Sequence, residues 1–562
     1  MADATAPDPT TAADVPAPDT ASLNLAPTDH DVAIVGGGPV GHFAALWLAN
    51  AGHTVALFEK QSTPYPRPRA VVLDWEIMRL LHAVGIGEEL DRIVQPGNEY
   101  EWQTKDGEVL LHFDWSSPCG GYPESNMFNQ PALERILVDR VKNHPNVRAR
   151  WSQTVNQVVQ DEDHVRIVSH GPTVKQRVTR AKYVIGCDGA NSLVRQRMKT
   201  GVTDLGFFFD WLVVDLIPED KKVWKPLNLQ VCDPARPTTA VSGGIGRRRF
   251  EFMRLPDETF EDLDREERVW ELLEPWGLTQ DNTELERQKI YTFQAQWADD
   301  WRDGRLFVAG DAAHLMPPFA GQGLCSGLRD ASNLAWKLDL VLRGLADDSL
   351  LDTYSSERSA HIRSAIGQSM ELGKVICILD PEAAAQRDAA LLPHGGDPAK
   401  ALPPIPPPVL GPGLLVSGPD GTPVEGVGHA TVQPTVTDSD GHQGLWDEVV
   451  GSGFTLITLE DPADLLTEDQ RSFLASIRCH VQQVVPAGEA EHEHQVEDGS
   501  GLIEHLTGKG HPACIIRPDN YLYGFADAEL SVGELVDGLA AALAGPGPTT
   551  GGRPASASSA LA

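Results

Sequence analysis

Six residues near the start of the chain, Gly36-Gly37-Gly38-Pro39-Val40-Gly41, have the spacing G-x-G-x-x-G. That spacing suits the binding of a pyrophosphate. The first glycine permits a tight turn, the second lets the main chain approach the phosphates, and the third lets a helix pack on a strand. A helix beginning at Pro39 and Val40 then offers its unpaired N–H groups to the anion. Glu59, followed by Lys60, ends the next strand, where an acid accepts a ribose hydroxyl. Two more carboxylates end apolar runs. One run spans 183–188 and stops at Asp188-Gly189, with Ser192 and Arg195 just beyond; the other spans 305–311 and stops at Gly310-Asp311. Strand ends of this kind are where open α/β sheets hold ligands. A third segment, Pro317-Pro318-Phe319-Ala320-Gly321-Gln322-Gly323, leads into a helix predicted from Leu324 over 324–342. Gly321 and Gly323 allow the backbone to come close to a flat ring.

The elements that must position these residues are legible around them. A strand at 32–35, an amphipathic helix at 39–51 and a strand at 54–58 make the first βαβ unit of a dinucleotide-binding fold. No second G-x-G-x-x-G follows a strand, so a separate NAD(P) domain is not expected. Strand-like runs over 205–295 are expected to roof a pocket. Within them, alternation puts Arg247, Arg249, Glu251 and Met253 on one face. Arg249 is thereby a candidate partner for a substrate carboxylate, the plain alternative being a solvated strand edge. Phe319 is the second candidate substrate contact. His42 is read as a packing residue, His314 as a structural hydrogen-bonder, and Glu357-Arg358 as a solvated helix face.

Composition narrows the function. The chain has 562 residues, room for several domains, and a formal net charge of −34. So acidic a protein is a poor ligand for nucleic acid or an anionic membrane, and an anionic co-substrate needs a local basic patch. The seven cysteines are widely spaced with no C-x-x-C, which fits free thiols in a reducing cytoplasm rather than a disulfide framework or a metal site. Neither a signal peptide nor a membrane-spanning run is read in the sequence, so the expected location is cytoplasmic. Residues 1–29 and 544–562 are expected to be disordered tails. A Pro-rich stretch at 402–412 closes an expected linker, 381–412, ahead of a smaller C-terminal part, 413–543.

The fingerprint alone does not choose between FAD and NAD; the two later strand ends do. The three segments, in this order, resemble the class A flavoprotein monooxygenases of the para-hydroxybenzoate hydroxylase fold. The resemblance is closest to the 3-(3-hydroxyphenyl)propionate hydroxylases, through Trp211-Leu-Val-Val-Asp215, Cys232-Asp-Pro-Ala-Arg-Pro237, Arg248-Arg-Phe-Glu-Phe-Met253 and the stretch 310–338. It implies an α/β, Rossmann-like FAD-binding domain (30–205 and 296–380) interleaved with a β-sheet substrate domain (206–295) and followed by a thioredoxin-like domain. It also implies that Asp188 helps bind FAD and supports NAD(P)H use, and that Asp311 holds the ribityl chain. Arg69 matches a residue near the FAD pyrophosphate and Gln130 one that contacts the flavin. The N-terminus of the helix after Gly323 would face flavin N1 and C2=O and stabilise the reduced anion. Pro317 and Pro318 would turn their carbonyls toward the substrate ring.

The implied reaction is hydroxylation of a phenolic substrate with NADH or NADPH and O₂, through addition of O₂ at flavin C4a. A tailoring hydroxylase of an aromatic natural product is the alternative within this chemistry, and a different flavin oxidoreductase on the same fold lies further off. A flavin-binding scaffold without activity needs neither Asp188 nor the Gly-Gln-Gly loop. The halogenase signature Gly-Trp-x-Trp-x-Ile-Pro is not found. No resident metal is implied, and the partners expected are a small aromatic substrate and a second copy in a homodimer. The C-terminal part, lacking C-x-x-C, is assigned packing or dimer support rather than redox work.

Overall fold

In the computed structural model, residues 28–219, 223–402 and 409–545 are described. Nearly all of both expected tails, and the middle of the Pro-rich stretch, lie outside them.

The first sheet is built on buried aliphatic strands. Val55–Phe58 is buried at every position, as a strand covered on both faces must be. It pairs in parallel with Thr28–Val35, which pairs in parallel with Arg177–Gly186, which in turn pairs in parallel with Leu306–Val308. The register aligns Val35 with Phe58 and with Gly186, and Gly186 with Val308. Four strands therefore stop at one level, and the residues that follow them (Gly36, Glu59, Cys187-Asp188 and Ala309-Gly310-Asp311) share one edge. This register brings together side chains far apart in sequence.

Helix Pro39–Asn50 leaves that edge, and helix Gly323–Leu342 packs against it. Every residue from Cys325 to Leu338 is buried in the longer helix. A helix apolar all round would be an ordinary core helix; this one also buries Arg329, Asp330, Asn333 and Lys337. Each buried charge must find a counter-ion.

A second sheet of seven strands lies over the site, in the order Thr283–Phe293, Phe209–Pro218, Arg248–Met253, Thr238–Ser242, Asn228–Val231, Glu99–Gln103, Val109–Asp114. Its last two strands come from within the segment expected to be FAD-binding, so the roof extends beyond 206–295. The segment expected as a linker, 381–412, holds helices Pro381–Leu391 and Pro398–Ala401, and Leu391 and Leu402 pack on the cluster around Trp102 and Trp211.

The C-terminal part forms another sheet, also of seven strands. Thr455–Thr458, His480–Val485 and Gln495–Asp498 run parallel, while Ala513–Ile516 and Leu522–Ala526 form an antiparallel hairpin beside Thr455–Thr458. Helix Val532–Leu543 packs five apolar side chains into the core. Cys479 and Cys514 are free thiols, each pushed up to about 12 by burial.

Glu357 and Arg358 correct the sequence reading. Both are fully buried. Glu357 accepts hydrogen bonds from Lys337 Nζ (2.8 Å), Asn333 Nδ2 (2.8 Å), Arg517 Nη2 (2.7 Å) and the Leu414 amide (2.8 Å). Arg358 donates to Asp330 Oδ1 at 2.9 Å. The helix they occupy, Thr353–Ile376, is covered on that face by the central helix and the C-terminal part, so the charges point inward.

Candidate active site

The glycine turn has the geometry of a phosphate cradle. Gly36 has φ of +109°, and a Cβ there would lie 2.2 Å from the Cys187 carbonyl oxygen. At Gly41 a Cβ would lie 2.1 Å from the Gly36 carbonyl oxygen, so helix and turn touch at main-chain distance. Gly38 is different: a Cβ there would meet nothing within 4 Å. It is the N-cap of helix Pro39–Asn50, and no side chain caps that helix. Its first-turn N–H groups are left for a ligand. Glu59 hangs over the turn, its Oε2 accepting from the Gly37 amide at 2.8 Å and its Oε1 from Gln61 at 2.7 Å. Lys60 beside it is exposed.

His42, one turn into the helix, is fully buried. Its Nδ1 donates to the Gly38 carbonyl at 2.9 Å and its ring stacks on Trp151. Burial depresses it to about 4, so it is neutral near pH 7 and holds the helix start in place.

The other strand ends meet this turn. Asp188 accepts from Ser192 Oγ at 2.5 Å and from the Leu193 amide at 2.6 Å, and Arg195 donates to the Ala190 and Ala312 carbonyls. Burial pushes the Asp188 carboxyl upward against these hydrogen bonds. Asp311 is exposed and lines a cleft of about 160 Å³ together with His314, Met316, Gly323, Tyr291 and Phe293. Gly310 donates its amide to Asp330 Oδ2 at 3.0 Å. His314 bonds the same oxygen at 2.8 Å, as its reading as a structural hydrogen-bonder anticipates. Burial raises the Asp330 carboxyl, but His314 and Arg358 outweigh it and hold it ionised. Asp330 thus fixes the loop that presents Asp311. Its role is not evident from the sequence, where the available signal is the charged pair Arg329-Asp330 within a helix long enough to cross the core.

The loop 317–323 differs from expectation in one respect. The Pro317 carbonyl accepts from Ser369 Oγ at 2.7 Å, and the Pro318 carbonyl from the Gly321 amide at 2.7 Å. Each carbonyl thus spends one of its two lone pairs within the protein. Gly321 takes φ of +67° to close this turn. Gln322 is the N-cap of helix Gly323–Leu342 without a capping side-chain bond, so no side chain takes the first N–H groups, and Gly323 lines the cleft. Phe319 lies edge-on to Phe207, Trp211 and Phe293, with ring centroids 5.8–6.3 Å apart. These rings form an apolar wall between the two sheets.

Arg249 is also corrected. It is 4% exposed and spends its guanidinium on Asp215, at 2.6 Å and 3.1 Å, and on the Pro68 and Arg69 carbonyls. Four of its five N–H donors are taken by these bonds, and Nη1 also lies 3.7 Å from Glu251 Oε1. What it does is pin the segment carrying Arg69, whose next residue, Ala70, donates its amide to Gln130 Oε1 at 2.7 Å. Gln130 in turn donates to Glu134 at 2.6 Å. Arg69 itself is exposed, stacked on Tyr65.

These residues fit FAD. An uncapped helix end beside an open glycine leaves room and donors for a phosphate, Glu59 presents a carboxylate over the same turn, and a second uncapped helix end faces an aromatic cleft. A metal has no comparable site: among the described residues, no group of three or more ligating side chains converges. None of the described helices is long and apolar enough to cross a membrane.

The comparisons agree with this arrangement. The FAD binding domain family matches residues 29–369, and the HcaD C-terminal domain family matches residues 428–542. The probable NADH-specific resorcinol 4-hydroxylase of Rhodococcus jostii (strain RHA1) is 35% identical over 92% of this chain and 95% of its own length. The 3-(3-hydroxy-phenyl)propionate/3-hydroxycinnamic acid hydroxylase of Mycolicibacterium smegmatis is 34% identical over 78% of each chain. The flavin-dependent monooxygenase PieE, solved with FAD and substrate, has the same fold, with a TM-score of 0.76 at 22% identity over 92% of this chain and all of its own. The chain belongs to the FAD binding domain family, in the branch of the class A flavoprotein monooxygenases.

Proposed function

We propose that the protein hydroxylates a small phenol, consuming one NAD(P)H and one O₂ and releasing NAD(P)⁺ and water for each oxygen atom inserted. The observation that carries this reading is the meeting, at one sheet edge, of an open glycine turn, the Asp311 strand end and the bare N-terminus of helix Gly323–Leu342. FAD, when bound, supplies the hydride acceptance and the O₂ activation.

The residues of the chain then divide the remaining work. Gly36, Gly38, Pro39, Val40 and Gly41 hold the pyrophosphate, with Glu59 on the adenosine ribose. Asp311 holds the ribityl chain. Arg69 and Gln130 border the cofactor from the other side, with Arg249 fixing that segment. The amides at Gly323 and Leu324 supply positive potential to the ring system. Phe319, Trp211 and Phe293 give the substrate an apolar wall that excludes water.

The substrate class follows from the polarity of that wall. Arg249 is committed to Asp215, which supports a neutral ring, such as a dihydroxybenzene, over a carboxylated one. The similarity to the Rhodococcus resorcinol hydroxylase points the same way. The test is NADH and NADPH oxidation across a panel containing resorcinol, phenol and 3-(3-hydroxyphenyl)propionate, with product masses. Stimulated oxidation giving a product one oxygen heavier, best with the neutral phenols, is expected. Oxidation unaffected by every phenol, or a clear preference for the carboxylated one, would overturn the reading.

A further inference from the structure

Buried charges tie the C-terminal part to the loop carrying Gln322. Gln322 Oε1 accepts from Arg329 Nη1 at 2.9 Å. The same guanidinium donates Nε to Glu76 Oε2 at 2.7 Å and Nη2 to Asp74 Oδ2 at 2.6 Å. Arg329 and Glu76 are 5% and 2% exposed. Asp74 caps helix Trp75–Ala83, and Glu76 lies in its first turn. One turn further, Arg79 grips Asp447 of the C-terminal part through two bonds, at 2.6 Å and 2.7 Å, and donates to the Thr431 carbonyl at 2.8 Å. Tyr521, from the same part, is buried beside Glu76; burial and the Glu76 charge hold its phenol well above its usual range.

Helix Trp75–Ala83 is therefore held at its start and at its middle by contacts of buried guanidinium groups with carboxylates. Such contacts cannot slide without leaving a charge unpaired in the interior, which is costly. A shift of the C-terminal part must move this helix, and with it Arg329 and Gln322.

We propose that the C-terminal part is a positioning element for the flavin loop. Asp447 and Thr431, acting through Arg79, helix Trp75–Ala83 and Arg329, fix the side chain of Gln322 and the start of helix Gly323–Leu342. The proposal rests on the reading of the Gly321–Gly323 loop as a flavin contact. Arg79, Arg329 and Asp447 are positioning residues in this account and touch no reactant.

The experiment is a double-mutant cycle on the full-length protein reconstituted with FAD. The variants are Asp447→Asn, Gln322→Ala and the pair together. The readouts are the FAD dissociation constant and the flavin midpoint potential, neither of which needs the substrate to be known. Distant independent sites add, whereas members of one network do not. Asp447→Asn is expected to weaken FAD binding about 2- to 30-fold and to displace the potential. In the Gln322→Ala background the same substitution should do neither. Equal effects of Asp447→Asn in both backgrounds would overturn the relay while leaving Gln322 at the flavin. A Gln322→Ala variant with unchanged affinity and unchanged potential would overturn the loop reading, and the relay with it. Should Asp447→Asn fail to fold, Tyr521→Phe, which deletes a single oxygen beside Glu76, replaces it in the same cycle with the same expectations.

Discussion

Two alanine substitutions in the glycine turn separate a space kept for a ligand from a space kept for packing. At Gly38 the backbone has φ of −82° and ψ of −177°, open to any residue, and an added Cβ meets no protein atom within 4 Å. Alanine there gains a little by restricting the unfolded chain and loses a little as a helix N-cap. The stability of the apoprotein should stay within about 1 kcal/mol of wild type. If a pyrophosphate lies against Gly38, the methyl group must push it away. Overfilling a well-packed contact by one methyl costs about 1–3 kcal/mol, or about a 5- to 150-fold rise in the FAD dissociation constant. At Gly41 the Cβ would stand 2.1 Å from the Gly36 carbonyl oxygen. That atom is main chain and cannot swing aside, so the helix must lift from the turn, and apoprotein stability should fall by about 1–3 kcal/mol or more. Melting of the apoproteins and FAD titration by flavin fluorescence measure the two effects separately. Wild-type FAD affinity in Gly38→Ala, or equal loss of apoprotein stability in both variants, would refute the argument.

Two further predictions concern stability and pH. Glu357→Gln leaves Lys337 buried without its ion-pair partner, while Arg517 keeps Asp519 through bonds of 3.0 and 2.6 Å, and should destabilise the protein by about 3–5 kcal/mol, read as a lowered urea midpoint; a change under about 1 kcal/mol would show that the network merely breaks even with its desolvation. In the wild type, burial raises Glu357, but Arg517 and Lys337 outweigh burial and hold it at about 2 rather than 4.5. Its stabilisation, about 3 kcal/mol, is therefore present above pH 4.5 and lost as pH falls toward 2; a Glu357→Gln protein should lack this acid-sensitive component. His42 has the opposite charge type and is depressed by burial to about 4 from 6.5. Below pH 6.5 the unfolded chain takes up a proton that the folded chain refuses, so stability falls between pH 6.5 and 4 by about 3 kcal/mol. His42→Phe should flatten that part of the stability–pH curve, and an unchanged slope would show that His42 is protonated in the fold.

What is local in this protein can be read from its residues in order. The glycine turn, the apolar strands on either side of it and the long helix after Gly323 are each set by a dozen or so neighbouring residues. Their periodicity and turn chemistry act over that same range. The carboxylates at strand ends were legible as well, because a parallel strand carries its functional residue just past its last buried side chain. What the tertiary structure alone decided is the company each charge keeps. Arg249 reads as a free cation on a strand face until Asp215 and the carbonyls of residues 68–69 close around it. Glu357 and Arg358 read as a solvated pair because their partners, Arg517 and Asp330, lie 160 and 28 residues away. The tie between Arg329 and Glu76 spans 253 residues. A charge is favourable on a surface and costly in a core. Which of the two it meets depends on elements that only the folded chain brings near, and no window of sequence around the residue contains them.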